Sequence, residues 1–219
     1  MDARADRAVR LRPRLVSRDP ARTRATILAA ATTEFSRKGL HGARVDEIAR
    51  CSGVNKRMIY HYFDDKNGLY LAVLEKSYTA IRTAEFELSL AEQDPVEGMR
   101  ALVLFTWNYL SSHPEFLSLL ATENLHRGAN LKKLPHIRKL HSPLIVMISK
   151  LLKRGVKQKL FRRNVDPMQL YISMAALAFF YLSNKHTLST IFGRDLSAPA
   201  ARAERELHVV DVLLGYLRA

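Results

Sequence analysis

The apolar residues of this 219-residue chain recur every three or four positions from residue 22 almost to its end. No segment alternates apolar and polar residues over the length that a half-buried strand needs. Prolines at the start of several apolar periods, namely Pro95, Pro114, Pro167 and Pro199, mark helix starts. The sequence therefore predicts an all-α fold.

Composition and charge narrow the class of protein. At 47% hydrophobic residues the chain can bury a core, which excludes a wholly disordered or fibrous protein. The single cysteine, Cys51, excludes an internal disulfide framework, and the N-terminus lacks the apolar stretch of a signal peptide. We therefore expect a cytoplasmic protein. Its net charge of +14 favours a polyanionic partner, either nucleic acid or an anionic membrane surface.

The charge is unevenly distributed along the chain. Residues 1–66 carry a net charge of +7, residues 67–126 carry −5, residues 127–163 carry +12, and residues 164–219 are neutral. The basic segment 127–163 is interpreted by default as a solvated helix face. An anionic effector, electrostatic steering towards DNA and contact with the acidic segment of the same dimer are the alternatives for it.

The chain divides into three parts. Residues 1–21 hold six arginines and no apolar period, which predicts a flexible arm. Residues 22–68 carry three helical patterns, and residues 69–219 carry longer ones. We therefore predict an arm, an N-terminal three-helix domain and a C-terminal helical domain.

The three-helix domain has the pattern of a helix-turn-helix. Thr23 is expected to cap the first helix, Ser52-Gly53 forms the turn after the second, and Asn55 caps the third. The last helix of such a motif enters the major groove of DNA. Here that helix has two faces: Met58, Ile59 and Tyr62 fall on an apolar side, and Lys56, Arg57, Tyr60 and His61 fall on a basic and aromatic side.

Residues 23–74 resemble the TetR/AcrR family of transcriptional regulators. The resemblance rests on Gly39, VDEIA at 45–49, SGVN at 52–55, IYHYF at 59–63, Lys66 and Leu69. It implies a homodimer that binds a palindromic DNA operator, usually as a repressor, and that a small-molecule effector in the C-terminal domain releases. Ala43 and Arg44 depart from the family pattern, which has a Ser/Thr pair before the second helix.

The resemblance also implies which residues contact DNA. In the family, the positions of Tyr60 and Lys66 bind phosphates on either side of the groove. Lys56 and Arg57 are the predicted base readers, because arginine recognises guanine through O6 and N7. The arm is expected either to enter the minor groove or to remain a solvated tail. The predicted DNA contacts are Arg44 (phosphate), Lys56, Arg57, Tyr60, His61 (phosphate or base) and Lys66.

The resemblance places the dimer interface in the last two long helices, here 167–185 and 200–217. Residues 167–184 carry no charged side chain, and residues 200–217 have an apolar stripe. An uncharged stretch of this length is at the lower limit for crossing a membrane, but a buried helix is the preferred interpretation. Packing within one chain is the alternative to dimer contact.

The C-terminal domain supplies the candidates for the effector site. Glu123 interrupts an apolar helix face. The preferred interpretation is an ion pair with Arg127 at i+4, and the alternative is a carboxylate that orients a ligand. The predicted effector-binding residues are Trp107, Glu123, Met147, Tyr171 and Phe179.

Other classes of protein and site are disfavoured. The sequence lacks a GxSxG motif, a P-loop, a dinucleotide fingerprint and any nucleophile–base spacing, so we expect no enzyme and no cofactor. Its histidines lack metal-ligand spacing, so we expect no metal. The alternative function is a basic architectural DNA-binding protein or membrane-surface protein without sequence specificity. The two-faced third helix argues against that alternative.

Overall fold

The computed structural model describes residues 19–219, apart from the side chains of Arg138, Leu140 and His141. Most of the predicted arm, residues 1–18, therefore lies outside the described residues. The rest of the chain contains the helices α1 (Pro20–Gly42), α2 (Val45–Ser52), α3 (Lys56–Phe63), α4 (Lys66–Phe86), α5 (Pro95–Ser112), α6 (Pro114–Leu125), α7 (Ile137–Lys157), α8 (Pro167–Phe192) and α9 (Pro199–Leu217). No strand occurs within residues 19–219, so the predicted all-α class is confirmed.

Asn55 caps α3, as predicted, and Asp94 and Asp166 cap α5 and α8, which begin at the predicted Pro95 and Pro167. The first helix differs from the prediction, because it begins at Pro20 and its cap is Asp19 rather than Thr23. The amide of Thr23 donates to the carbonyl of Asp19, so Thr23 is already part of the first turn. In an Asp-Pro pair the aspartate accepts a hydrogen bond from the first turn, and the proline ring fixes φ at a helical value. The pair therefore favours the start of a helix more strongly than a threonine alone.

Two helices of the C-terminal part, α7 and α8, continue past positions where the sequence suggests that a helix could end. The sequence leaves open whether Pro143 bends one helix or starts a new one, and the structure shows a single helix, α7, that runs through it. α8 continues past the predicted end at residue 185 and stops at Gly193, whose φ of 62° is left-handed. α8 packs against both α7 and α9.

α4 belongs to both predicted domains. Its first turns place Leu69, Tyr70 and Leu74 in the core of the head, as we call α1, α2 and α3. Its second half places Tyr78 and Ile81 in a cluster with residues of α5, α6 and α8. The predicted boundary between residues 68 and 69 therefore falls inside a continuous helix.

The uncharged stretch of α8 packs inside the domain. Its residues Leu170, Met174, Ala178 and Leu182 are buried against neighbouring helices. Across residues 19–219, none of the helices has both the length and the apolar character that crossing a membrane requires.

Candidate functional site

The helix-turn-helix is formed by α2 and α3, joined by a turn in which Gly53 has a φ of 65°. The inner face of α3 is anchored by Ile59 and Phe63, which are buried in the core of the head. Met58 and Tyr62 are half-buried on the same side, which agrees with the predicted apolar face. The predicted outer residues are all exposed, namely Lys56, Arg57, Tyr60 and His61.

The start of α3 is fixed by two interactions. The side chain of Asn55 accepts a hydrogen bond from the amide of Met58 at 2.9 Å. Lys56 Nζ lies 2.8 Å from Asp46 Oδ1 on α2, and this contact lowers the pKa of Asp46 and raises that of Lys56. The sequence prediction did not include Asp46. Its position in the first turn of α2 is a weak signal, because the contact depends on how the two helices cross.

Arg57 differs from Lys56 in having a free guanidinium. Its side chain is exposed and makes no ion pair or hydrogen bond with any of the residues that the structure describes. Lys56, by contrast, is tied to Asp46. Of the two predicted base readers, Arg57 is therefore the one whose donors are available to a DNA base.

A buried glutamate holds the backbone just before α2. Arg44 precedes α2 and makes no side-chain cap, as expected from the departure at this position. The backbone N–H of Arg44 instead donates to Oε1 of Glu34 at 3.0 Å, and Lys38 donates to the same oxygen at 2.9 Å. Burial alone would raise the pKa of Glu34, but these two hydrogen bonds lower it below its usual value. The Arg44 side chain remains exposed beside this anchor.

Lys66 connects the start of α4 to the end of α1. It is the first residue of α4, directly after the Asp65 cap, whose side chain accepts from the amide of Gly68 at 2.7 Å. Lys66 Nζ donates to the carbonyl of His41, at the end of α1, at 3.1 Å. The ammonium group therefore lies against the C-terminal end of α1, and the residue itself begins α4, whose dipole favours an anion at its N-terminus.

A cleft with a volume of about 1140 Å3 opens on the C-terminal domain. It lies between α4, α7 and residues 87–94, and it is open to solvent. Of the predicted effector residues, only Met147 lines the cleft. Tyr171 lies behind the lining and accepts a hydrogen bond from Arg82, which does line it. Trp107 and Phe179 instead belong to the apolar cluster around Tyr181.

Glu123 is a structural residue rather than part of the cleft. The predicted pair with Arg127 is wrong, because α6 ends at Leu125 and Arg127 follows with a left-handed φ of 57°. Glu123 is 1% exposed. It accepts hydrogen bonds from the Tyr70 hydroxyl at 3.1 Å, Asn130 Nδ2 at 2.9 Å and the amide of Leu131 at 3.1 Å. It therefore ties α4 to α6 and to the loop that follows.

The basic segment 127–163 forms one wall of the cleft through α7. Arg154 donates hydrogen bonds to the carbonyls of Leu90, Ala91 and Gln93, and so holds residues 87–94 against α7. The exposed rim of the cleft carries cations from α7 and one carboxylate from the facing segment, namely Lys139, Lys150, Lys153 and Glu92. At these positions the segment is both a solvated face and a cleft wall.

The inner wall of the cleft contains a buried ion pair that the sequence prediction missed. Arg82 Nη1 lies 2.8 Å from Glu85 Oε2, and Arg82 Nη2 donates to the Tyr171 hydroxyl at 3.1 Å. Burial raises the pKa of Glu85 to about 7, against the opposing effect of the Arg82 charge. The signal was available, because Arg82 and Glu85 continue the helical stripe that begins with the buried Tyr78 and Ile81.

We expect Glu85 to make the stability of the protein depend on pH. Its pKa is above the unfolded value of 4.5, so the folded state holds an extra proton between pH 4.5 and about 7. The resulting stabilisation is present below that window and is lost as the pH rises through it. Relative to Glu85→Gln, the free energy of unfolding of the wild type should fall by about 3 kcal/mol across the window. Urea unfolding of both proteins at several pH values measures this, and parallel curves would contradict it.

Large apolar side chains are exposed on the last two helices. On α8 these are Met168, Ile172, Phe180, Ile191 and Phe192, and on α9 they are Leu207, Val212 and Tyr216. Exposed apolar side chains in this number on two neighbouring helices are typical of a surface that another chain covers.

Comparison with known proteins agrees with this geometry. Residues 27–73 match the model for bacterial regulatory proteins of the tetR family, and residues 95–213 match the tetracyclin repressor-like C-terminal domain. The chain is 39% identical over 197 residues to the HTH-type transcriptional repressor NicS of Pseudomonas putida, covering 90% of this chain and 93% of NicS. It is 37% identical over 123 residues to the HTH-type transcriptional repressor SCO4008 of Streptomyces coelicolor, covering 56% and 59% of the two chains.

A solved structure shows the same fold. The ketosteroid transcriptional regulator KstR2 of Mycobacterium tuberculosis superposes with a TM-score of 0.68 at 17% identity, over 94% of this chain and 100% of that one. The matched models cover both the helix-turn-helix and most of the C-terminal domain. The chain therefore belongs to the TetR family of bacterial transcriptional regulators.

Proposed function

We propose that this protein is a ligand-responsive repressor that binds a palindromic operator as a dimer and leaves it when a small molecule occupies the cleft. The observation that carries the proposal is the two-faced helix α3, anchored by Ile59 and Phe63 and exposing Arg57, Tyr60 and His61. A repressor function is supported by the relative NicS, which is named a transcriptional repressor.

In this proposal the exposed side chains divide between bases and phosphates. Arg57 reads a guanine in the major groove, because its guanidinium is free and stands at the start of α3. Lys56 contributes positive charge while it remains tied to Asp46, and His61 contacts either a base or a phosphate. The phosphate contacts come from Tyr60 on α3, Lys66 at the start of α4 and Arg44 just before α2. This spread fixes the register of α3 in the groove.

The dimer in this proposal forms through α8 and α9. Their exposed apolar side chains supply the surface, and the twofold symmetry of such a dimer matches a palindromic operator. The effector site is the cleft between α4 and α7. Its volume of about 1140 Å3 is sufficient for a drug-sized molecule.

The proposal predicts different defects for Arg57→Ala and Lys66→Ala. The operator is first selected from a random duplex pool, and fluorescence anisotropy then measures binding to that operator and to a shuffled duplex. Arg57→Ala should reduce the ratio of the two affinities by about 10–100-fold, because a lost arginine–guanine contact costs about 1–3 kcal/mol. Lys66→Ala should weaken both complexes by the same factor and reduce the salt slope by about 1.

Arg100→Ala is the matched control for charge removal, since Arg100 lies on α5 in the C-terminal domain. Thermal melting checks that Lys66→Ala still folds after losing its bond to the His41 carbonyl. An unchanged affinity ratio in Arg57→Ala would remove Arg57 as a base reader. A basic architectural protein would instead give no selected site, with equal affinity for every duplex.

A further inference from the structure

The inner wall of the cleft holds two buried side chains whose hydrogen-bonding capacity is only partly used. Arg82 and Glu85 are 9% and 2% exposed, and both line the cleft. Nε and Nη1 of Arg82 and Oε2 of Glu85 have no hydrogen-bond partner among residues 19–219. Nη1 and Oε2 are 2.8 Å apart and attract each other as charges, but they are not aligned for a hydrogen bond.

Such atoms are uncommon in a folded protein. Each buried donor or acceptor without a partner costs about 1–3 kcal/mol, and most native groups avoid this cost. The same fold satisfies its other deeply buried carboxylate in the C-terminal half, because Glu123 accepts three hydrogen bonds from within the chain. Two unused donors beside an unused acceptor, on the wall of an open cleft, therefore indicate a partner that arrives from outside.

We infer that the cleft binds a small molecule with an amide-like edge, a C=O next to an N–H, which pairs with Arg82 and Glu85. The C=O accepts from an unused N–H of Arg82, and the N–H donates to Oε2 of Glu85. Cyclic amides have this edge in a fixed geometry. The inference rests on the proposed function, because it takes the cleft to be the effector site.

The rest of the cleft favours a flat, apolar body for this molecule. Phe86, Leu144, Met147 and Leu151 line it alongside the polar pair. Phe86 is 75% exposed, so its ring is available to cover a ligand. The rim lysines lie on α7, on the other wall from the helix that carries Arg82 and Glu85. The ammonium groups of these lysines can therefore bind a polar substituent of the ligand.

Ligands with a single charge fit the polar pair less well above pH 7, where Glu85 is mostly ionised. There a carboxylate would satisfy Arg82, but it would leave Oε2 of Glu85 without a donor and place a second anion beside it. A cation would satisfy Glu85 and leave the Arg82 donors unused. Only a group with a donor and an acceptor side by side satisfies both residues.

The experiment compares cyclic amides with close analogues by isothermal titration calorimetry on the full chain. Carbostyril and phenanthridinone each carry the C=O and N–H edge on an aromatic body. Their N-methyl derivatives lack the donor, and naphthoate supplies the anion instead. At least one cyclic amide should bind about tenfold or more tighter than its N-methyl derivative and than naphthoate, since each unmet donor or acceptor costs about 1–3 kcal/mol.

Paired variants show whether the selectivity comes from these two residues. The double variant Arg82→Met, Glu85→Leu removes both partners and leaves no isolated buried charge. We therefore expect it to fold. Its affinities for a cyclic amide and the N-methyl derivative should become equal within about twofold. The control is Glu97→Leu with Arg100→Met, an exposed i,i+3 pair on α5 outside the cleft, which should keep the wild-type selectivity.

Three results would overturn the inference: neither cyclic amide binds, naphthoate binds as tightly as the amides, or the double variant keeps the selectivity. Operator binding of the same wild-type sample separates this failure from failure of the proposed function. Selective operator binding without amide selectivity rejects the ligand class alone. Amide selectivity without any operator preference rejects the regulator and leaves the ligand class standing.

Discussion

Replacing Phe180 with glutamate is expected to leave the protein monomeric and to weaken operator binding by about 100-fold or more. Phe180 lies on α8 and is 59% exposed, although its large ring favours burial. In a twofold dimer the substitution acts twice, removing two apolar contacts and placing two carboxylates in the interface. A monomer then holds only one operator half-site and loses the effective concentration that the second head provides.

Analytical ultracentrifugation measures the oligomeric state, and anisotropy with the selected operator measures the loss of affinity. The matched control is Leu125→Glu on α6, where an even more exposed apolar residue, 81% exposed, lies outside the proposed interface. That variant should remain dimeric and bind the operator normally. If Phe180→Glu also remains dimeric with wild-type affinity, the dimer does not form through this part of α8.

The second large effect is expected on stability. Replacing Glu123 with alanine should lower the free energy of unfolding by about 3–5 kcal/mol. The substitution leaves the Tyr70 hydroxyl, the Asn130 amide and the backbone N–H of Leu131 without their acceptor in a buried site. It also opens a small cavity where the side chain packed. Urea unfolding followed by circular dichroism measures the change.

Graded variants test whether hydrogen bonds cause this loss. Glu123→Gln keeps an acceptor oxygen and should lose less than the alanine variant. Tyr70→Phe removes one donor from the same network and should cost about 1 kcal/mol. Glu115→Ala, on the same helix but outside the network, should change stability by less than about 0.5 kcal/mol. Equal stability of the Glu123 and Glu115 alanine variants would refute the structural role of Glu123.

The head could be predicted from the sequence because its signals are local. Asn55 caps α3 through an amide three residues away, and Gly53 supplies the left-handed turn before it. The two faces of α3 follow from helical spacing alone. The Lys56–Asp46 contact could not be predicted in the same way, because it depends on the crossing of α2 and α3.

The effector region shows the limit of the same method. The pairing of Glu123 with Arg127 assumed that α6 continues for another turn, and the helix ends at Leu125 instead. Of the predicted wall residues, Trp107 and Glu123 are buried in the interior and Phe179 packs half-buried against it, since sequence periodicity does not distinguish a cavity wall from a packed interior. The cleft joins α4, α7 and residues 87–94, which are distant in sequence, so its composition follows only from their packing.

The continuity of α4 limits where the chain can be divided into fragments that fold on their own. The core of the head includes Leu69 and Tyr70 from α4 and Leu119 from α6, so the first 68 residues contain only part of their own hydrophobic interior. A fragment ending there would expose the apolar faces of α1 and α3. A chimera that exchanges DNA specificity with a relative therefore needs its junction beyond Leu74, with the α6 contact at Leu119 preserved. In this fold the unit of recombination is larger than the helix-turn-helix.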